Sequence, residues 1–289
     1  MSGRRIKLFL EEWFNVSLST GIINQCIREA GRAVAPLQDE LIQDLLASNI
    51  LFADETGWKQ SGNKTWLWVF LNYTTALFIV GSRSKDTAHE ILSRFSGILM
   101  SDGYHVYRFF EDRLRCWAHL IRKCKGLHDS RHMTAHQFGL QSMGLFNKLM
   151  LSIKVARDGP LSNLVDEHQQ DILGFKELCL QYKDSSHDKL RALAREFLND
   201  WDAIWRVLED VTLPMTNNEA ERALRHWVIN RLISHGTRSD EGSVALATLA
   251  SVIETCRLRQ VSPWKYIACV ISERRKNNSA PPLPQSIAA

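Results

Sequence analysis

Two short apolar runs in this chain, NILFAD (49–54) and GILMSD (97–102), each end on an aspartate. Runs of this length, bounded by turn residues, read as buried strands rather than helices. A carboxylate at the end of such a strand sits on a rigid element where a sheet edge meets solvent. Between the two runs lie KTWLWVFLNY (64–73) and TALFIVG (75–81), rich in aromatic and β-branched residues. Gly62-Asn63 and the stretch from Asn72 to Thr75 supply the turns. RLRCWAHLIRKC (113–124) then reads as a fifth strand and a following helix. These elements predict an α/β chain built on a mixed five-stranded sheet with flanking helices.

The flanks are helical. In residues 5–48, Ile6, Leu8, Leu10 and Trp13 open a first apolar stretch, and SLST (17–20) offers cap hydroxyls to a second helix. Ile22, Ile23, Cys26 and Ile27 share one face of that helix, while Asn24, Gln25 and Arg28 lie off it. A helix-turn-helix reading adenine edges has this look, but a helical hairpin packed on the core is the preferred reading. Ala88, Ile91, Leu92 and Phe95 follow Ser84 and Asp86 as a further helix. Residues 134–209 contain no strand pattern. Phe138, Phe146, Leu149 and Ile153, then Phe175 and Leu178, then Leu193, Phe197, Trp201 and Leu208 recur at helical spacing. Trp201 and Trp205 are read as core rather than as a base-stacking platform. The expected boundaries are a helical segment over 1–48, the first part of the sheet domain over 49–133, and a helical insertion over 134–213. The rest of the sheet domain follows over 214–275, and a polar, proline-rich disordered tail over 276–289.

Composition excludes some classes. With 289 residues, 45% of them hydrophobic, the chain can bury a substantial core. It has no run of about eighteen apolar residues to span a bilayer, and Glu11 and Glu12 interrupt the only leader-like stretch. Six cysteines without CxxC spacing suit a reduced, cytoplasmic protein. A net charge of +4 permits nucleic-acid binding without arguing for it. Local clustering says more: Arg222, Arg225, Arg231 and Arg238 crowd behind a third acidic stretch, MTNNEAERALR (215–225).

Asp54, Asp102 and Glu221 are the candidate catalytic and metal-binding residues. Phosphodiester chemistry by two Mg²⁺ ions about 4 Å apart needs hard oxygen ligands with open positions between them. Carboxylates from three separate elements meet that need. On a helical wheel with Glu221 at zero, Ala220, Ala223, Leu224, Trp227 and Val228 fall between about 200° and 340°. Glu221 therefore borders the apolar arc, and Glu219 falls near 160°, toward solvent. Thr216 to Glu219 also fits a capping box. The wheel alone leaves Glu221 open between a metal site and a surface ion pair with Arg225. Asp54 and Asp102, taken singly, are equally readable as turn or cap residues.

The ordered set ADETGWK, SDGYHVY, CWAHLIRK, NNEAERALR, SHGTRSDEG and SVIETCRL resembles bacterial transposases of the insertion sequence sixty-six family, within the DDE superfamily. The resemblance covers about residues 35 to 267. It implies a ribonuclease H-like fold with a helical insertion between the second Asp and the Glu. It assigns the triad to Asp54, Asp102 and Glu221 with Mg²⁺ or Mn²⁺. It also implies cleavage at an insertion sequence's ends followed by strand transfer into target DNA, in a homo-oligomeric complex on the nucleoid. Trp58, Lys59, His119, Arg222, Arg225, Arg231 and Arg238 become expected DNA contacts, the alternatives being that Trp58 simply covers the sheet edge and that the four arginines are a solvated helix face. Cys116 and His119 match the family's C-x-x-H pattern. A zinc site extending to Cys124 and His128 is disfavoured, because a helix would scatter the ligands. Relatives carry a longer region before the first aspartate, and only 53 residues precede Asp54 here. A shortened copy that only binds DNA, or a nuclease on the same fold, are the alternative readings.

Overall fold

The computed structural model describes residues 2–159 and 164–286. Thirteen α-helices and five strands are described, which makes the chain mixed α/β as expected. They fall into two compact units, one of residues 1–97 and 218–289, the other of 98–217.

The first unit begins with helices α1 (Gly3–Phe14), α2 (Thr20–Val34) and α3 (Gln38–Leu46). Ser19 caps α2, its Oγ accepting from the Ile22 N–H at 3.1 Å. Strands β1 (Ile50–Gln60), β2 (Asn63–Leu71) and β3 (Ala76–Gly81) form an antiparallel meander in the order β3-β2-β1. The turn falls at Ser61-Gly62, and Gly62 adopts φ +83. Helix α4 (Lys85–Leu92) follows; α11 (Asn218–Ser234), α12 (Asp240–Leu258) and α13 (Pro263–Arg275) complete the unit. Helix α12 covers the outer strand β3. The Ser251 hydroxyl accepts from the Phe78 N–H at 2.8 Å and the Thr255 hydroxyl from the Ala76 N–H at 3.1 Å. Hydroxyls on a covering helix thus satisfy donors that an open strand edge would expose.

Two expectations change in this unit. NILFAD does not end a strand at Asp54, because β1 runs on through Gln60, paired residue by residue with β2. The proline-rich end is also not a free tail as far as residue 286. Leu283 is buried and its N–H donates to the Glu40 carboxylate at 2.9 Å. Arg259 donates to the Pro284 carbonyl at 2.8 Å, and the Tyr266 hydroxyl to the Pro281 carbonyl at 2.9 Å. The segment is thus held by side chains that donate to its carbonyls and by the Glu40 carboxylate, which accepts from its Leu283 N–H. Residues 287–289 lie outside the described residues.

In the second unit, β4 (Ile98–Ser101) and β5 (Arg113–Arg115) pair in parallel. Helices α5 (Trp117–His128), α6 (Met133–Asp158), α7 (Leu164–Glu167), α8 (Gln169–Tyr182), α9 (Asp188–Asn199) and α10 (Trp201–Glu209) follow. No strand interrupts residues 134–209 among the described residues, and Pro160 lies outside them. The apolar positions spaced for helices converge on one core containing Trp117, Phe138, Phe146, Phe175, Phe197 and Trp205. Trp117 meets Phe146 edge-on at 5.0 Å and donates its indole N–H to the Ile204 carbonyl at 2.8 Å. Trp205 is 5% exposed, so the core reading of this tryptophan holds. Gly139 lets α6 lie on α5, since a Cβ there would meet the His128 N and Cys124 O. Among the described residues no helix is long and apolar enough to cross a membrane.

Candidate active site

Asp54 sits inside β1, opposite Val69 of β2, and is half-buried. Its Oδ1 accepts from the Glu55 N–H at 2.8 Å. Glu55 points elsewhere: its nearly buried carboxylate pairs with Arg83 at 2.8 Å, and the Arg83 guanidinium lies 4.1 Å from the Trp66 ring centre. The neighbouring acid therefore has a structural partner in Arg83.

Helix α11 packs on β1 in the same unit. Ala220, Ala223 and Leu224 are its buried residues, and the small alanines let the helix approach the sheet closely. Glu221 is half-buried in the first turn, at the border of that apolar face, as the wheel anticipates. Arg225 is exposed and has no ion pair among the described residues, so the surface pair with Glu221 does not form. The capping box does not form either. The helix starts at Asn218 rather than Thr216, and Glu219 pairs with Arg222 at 2.9 Å.

The loop after α11 is stitched to the β1–β2 hairpin. Thr237 N–H donates to the Lys59 carbonyl at 2.9 Å, Ser61 N–H donates to the Thr237 carbonyl at 2.9 Å, and Gln60 and Thr237 form a parallel bridge. Gly236 takes φ +90, and a Cβ there would collide with the Lys59 carbonyl. Only glycine fits both demands. Arg231 is committed to the same junction, donating to Thr56 Oγ1 and to the Gly57 carbonyl, each at 2.7 Å.

These contacts correct two expected DNA contacts. Trp58 is 2% exposed and donates its indole N–H to Thr237 Oγ1 at 3.3 Å. It covers the sheet and has no open ring face on which a base could stack. Arg231 is a clamp between helix and strand rather than an open phosphate ligand. Lys59, Arg222, Arg225 and Arg238 are exposed on this unit. Lys59 and Lys64 border a cavity of about 420 Å³ that Leu232 and His235 close from the α11 side.

In the second unit Asp102 directly follows β4, at a strand end as expected. Its Oδ1 accepts from the Tyr104 N–H at 3.0 Å. Gly103 takes φ +96 because the Arg115 guanidinium fills the place of a side chain there. Arg115 Nη2 donates to the Asp102 carbonyl at 3.1 Å and to Glu196 at 2.6 Å. Its Nη1 pairs with Asp200, which also receives Arg113 and Arg108, each at 3.2 Å. The backbone bearing Asp102 is thus anchored by a buried charge network. Sequence reading missed Arg115 and Asp200. The available signal was RLR, two charged residues inside an expected strand, but their partners lie 81 to 87 residues further on.

Cys116 is buried at the start of α5, and its N–H donates to the Ser101 carbonyl at 3.0 Å. Its Sγ accepts from the Asn217 N–H at 3.2 Å, and the Trp117 N–H donates to the Met215 carbonyl at 2.9 Å. Met215 and Asn217 are therefore held beside the start of α5 within this unit. His119 is half-buried on the first turn of α5. Burial pushes the Cys124 thiol up to about 12, which keeps it protonated.

The profile of the Transposase IS66 family matches residues 2–245, most of the chain. The chain belongs to this family. Similar curated proteins include y4qI of Sinorhizobium fredii, 26% identical over 287 residues, a stretch covering 88% of this chain and 53% of y4qI. Another is y4jD of the same organism, 24% identical over 207 residues, or 66% of this chain and 40% of y4jD. Both are described only as uncharacterized proteins. The chain spans about half the length of these curated relatives or less. Membership of a transposase family makes a DNA-processing role the general expectation for this chain.

Proposed function

We propose that this chain is a DDE transposase, with Asp54 and Glu221 of the first unit and Asp102 of the second acting together on DNA. The packing of α11 on β1 is the observation that carries the reading. Glu221 lies half-buried at the edge of that helix's apolar face, on a helix packed against the strand that bears Asp54. The donor set fits Mg²⁺ or Mn²⁺. All three groups are hard carboxylates, and backbone N–H groups of Glu55 and Tyr104 orient Asp54 and Asp102. Ligand-orienting hydrogen bonds of this kind are the usual support of a metal site.

Divalent cations bound by these carboxylates would supply charge neutralisation at the scissile phosphate and activation of the attacking oxygen. The chain's own residues do the rest. Asp102 is held in place through its backbone by Arg115. Asp54 is fixed on a strand paired on its hairpin side along its length. Lys59, Arg222, Arg225 and Arg238 offer positive charge to phosphates, and His119 is a further candidate contact on the second unit. Water attacking the phosphodiester at the element's end would free a 3′-hydroxyl and leave a 5′-phosphate on the other fragment, and that 3′-hydroxyl would attack a target phosphodiester and displace a target 3′-hydroxyl.

The test uses the full chain, Mg²⁺ and duplexes carrying the ends that flank its coding sequence. The expected result is metal-dependent release of a 3′-hydroxyl and its covalent joining to a second duplex. Cutting without joining would make the chain a nuclease, and binding without turnover would make it a DNA-binding remnant. Either result overturns the proposal.

A further inference from the structure

We propose that α1 is a self-complementary surface through which two copies of this chain associate, helix against helix and antiparallel. No residue of this twelve-residue helix is buried. Ile6 and Leu10 are half-buried, and α1 packs on α2. The remaining large apolar groups stay in solvent: Leu8 is 44% exposed, Phe9 40% and Trp13 75%. With Leu8 at zero, helical steps put Glu12 near 40°, Arg5 near 60°, Phe9 near 100° and Trp13 near 140°. All five are exposed, so they make one continuous face.

The charges at the two ends of α1 run the wrong way for the helix itself, and of these Arg5 and Glu12 lie on that face. Arg4 and Arg5 occupy the first turn and Glu12 the last, with no acid at the start and no base at the end. The macrodipole disfavours each of these placements. Glu11 has local partners, Lys7 at 3.6 Å and the Ser17 hydroxyl at 3.0 Å. Arg4, Arg5 and Glu12 belong to no ion pair among the described residues. An arrangement that works against its own helix becomes favourable against a reversed copy.

In an antiparallel pair centred between Leu8 and Phe9, Arg5 meets the second copy's Glu12 and Leu8 meets the second copy's Phe9. Every contact occurs twice, as a twofold interface requires. The two helix dipoles also oppose each other. The fit uses no DNA and no catalytic residue, so it stands or falls apart from the proposed reaction.

The test is sedimentation equilibrium of the full chain without DNA, with circular dichroism to check folding. The expected result is a concentration-dependent dimer. Arg5→Glu and Glu12→Arg should each raise its dissociation constant by about tenfold or more, since each places like charges in contact at both ends. Mixing the two single variants restores both ion pairs and should restore the dimer, as should the double variant R5E/E12R. The altered side chains are exposed, so the fold should tolerate all three. A wild-type chain that stays monomeric would overturn the proposal. So would a dimer indifferent to both single reversals, or a mixture that fails to reassociate.

Discussion

Asp54→Asn should leave a folded protein and lower Mg²⁺-dependent end cleavage on the order of a thousandfold. The fold should survive because the amide oxygen of Asn can still accept the Glu55 N–H that Asp54 Oδ1 accepts now. The side chain keeps its size, and β1 keeps its pairing with β2. The activity should fall because a neutral amide no longer balances a divalent ion. Metal stabilisation of the transition state amounts to several kcal/mol, and each 1.36 kcal/mol is a factor of ten. The comparison is single-turnover cleavage by wild type and variant at equal Mg²⁺, with thermal unfolding measured on the same samples. Undiminished cleavage would remove Asp54 from the mechanism. Glu55→Gln is the informative neighbour. Its carboxylate is already paired with Arg83, so it should affect stability more than chemistry.

The second large effect falls on the other unit. Asp200→Ala should cost about 3–5 kcal/mol, because it leaves buried guanidinium groups without their counter-charge. Asp200 and Arg115 have fully buried side chains, and Arg113 is only 10% exposed there. Domains are stable by roughly 5–15 kcal/mol in all, so one substitution would use a large part of that margin. Urea denaturation monitored by tryptophan fluorescence should show it, since Trp117 and Trp205 lie in this unit's core. The harm should also reach the site, because Arg115 holds the Asp102 carbonyl. Unfolding at wild-type urea concentration would mean that the network contributes little to holding the unit together. Replacing Asp200, Arg113 and Arg115 together by apolar residues should cost less than Asp200→Ala alone, since no stranded charge remains.

Much of this fold was legible because apolar periodicity is a local signal. NILFAD and GILMSD announced two strands, and Phe138, Phe146, Phe175 and Phe197 announced the helical block. The limit of β1 was not legible. After Asp54 the strand reads ETGWKQ, polar and broken by glycine. Only its cross-strand partners, down to Gln60 opposite Asn63, keep it extended. The same holds for Trp58, which sequence left open between stacking on a base and covering the sheet edge, because its partner Thr237 lies 179 residues away. Arg231 read as one more base in a basic stretch, yet its partners Thr56 and Gly57 lie on a strand far upstream. At the site, the wheel placed Glu221 at an apolar border from sequence alone, and the helix packs as that border required. What sequence could not supply was the support around Asp102, since Arg115, Glu196 and Asp200 meet only after folding.

The most direct measurement is a metal-specificity switch at the three acids. Asp54→Cys, Asp102→Cys and Glu221→Cys each exchange a hard oxygen ligand for a soft sulfur. If these side chains touch the catalytic ions, each variant should be inactive in strand transfer with Mg²⁺. Each should recover a substantial part of that activity with Mn²⁺ or Cd²⁺, while Glu55→Cys should show no such dependence. Cysteine variants that retain Mg²⁺ activity, or that stay inactive with every metal while folded and bound to DNA, would contradict a shared metal site at Asp54, Asp102 and Glu221.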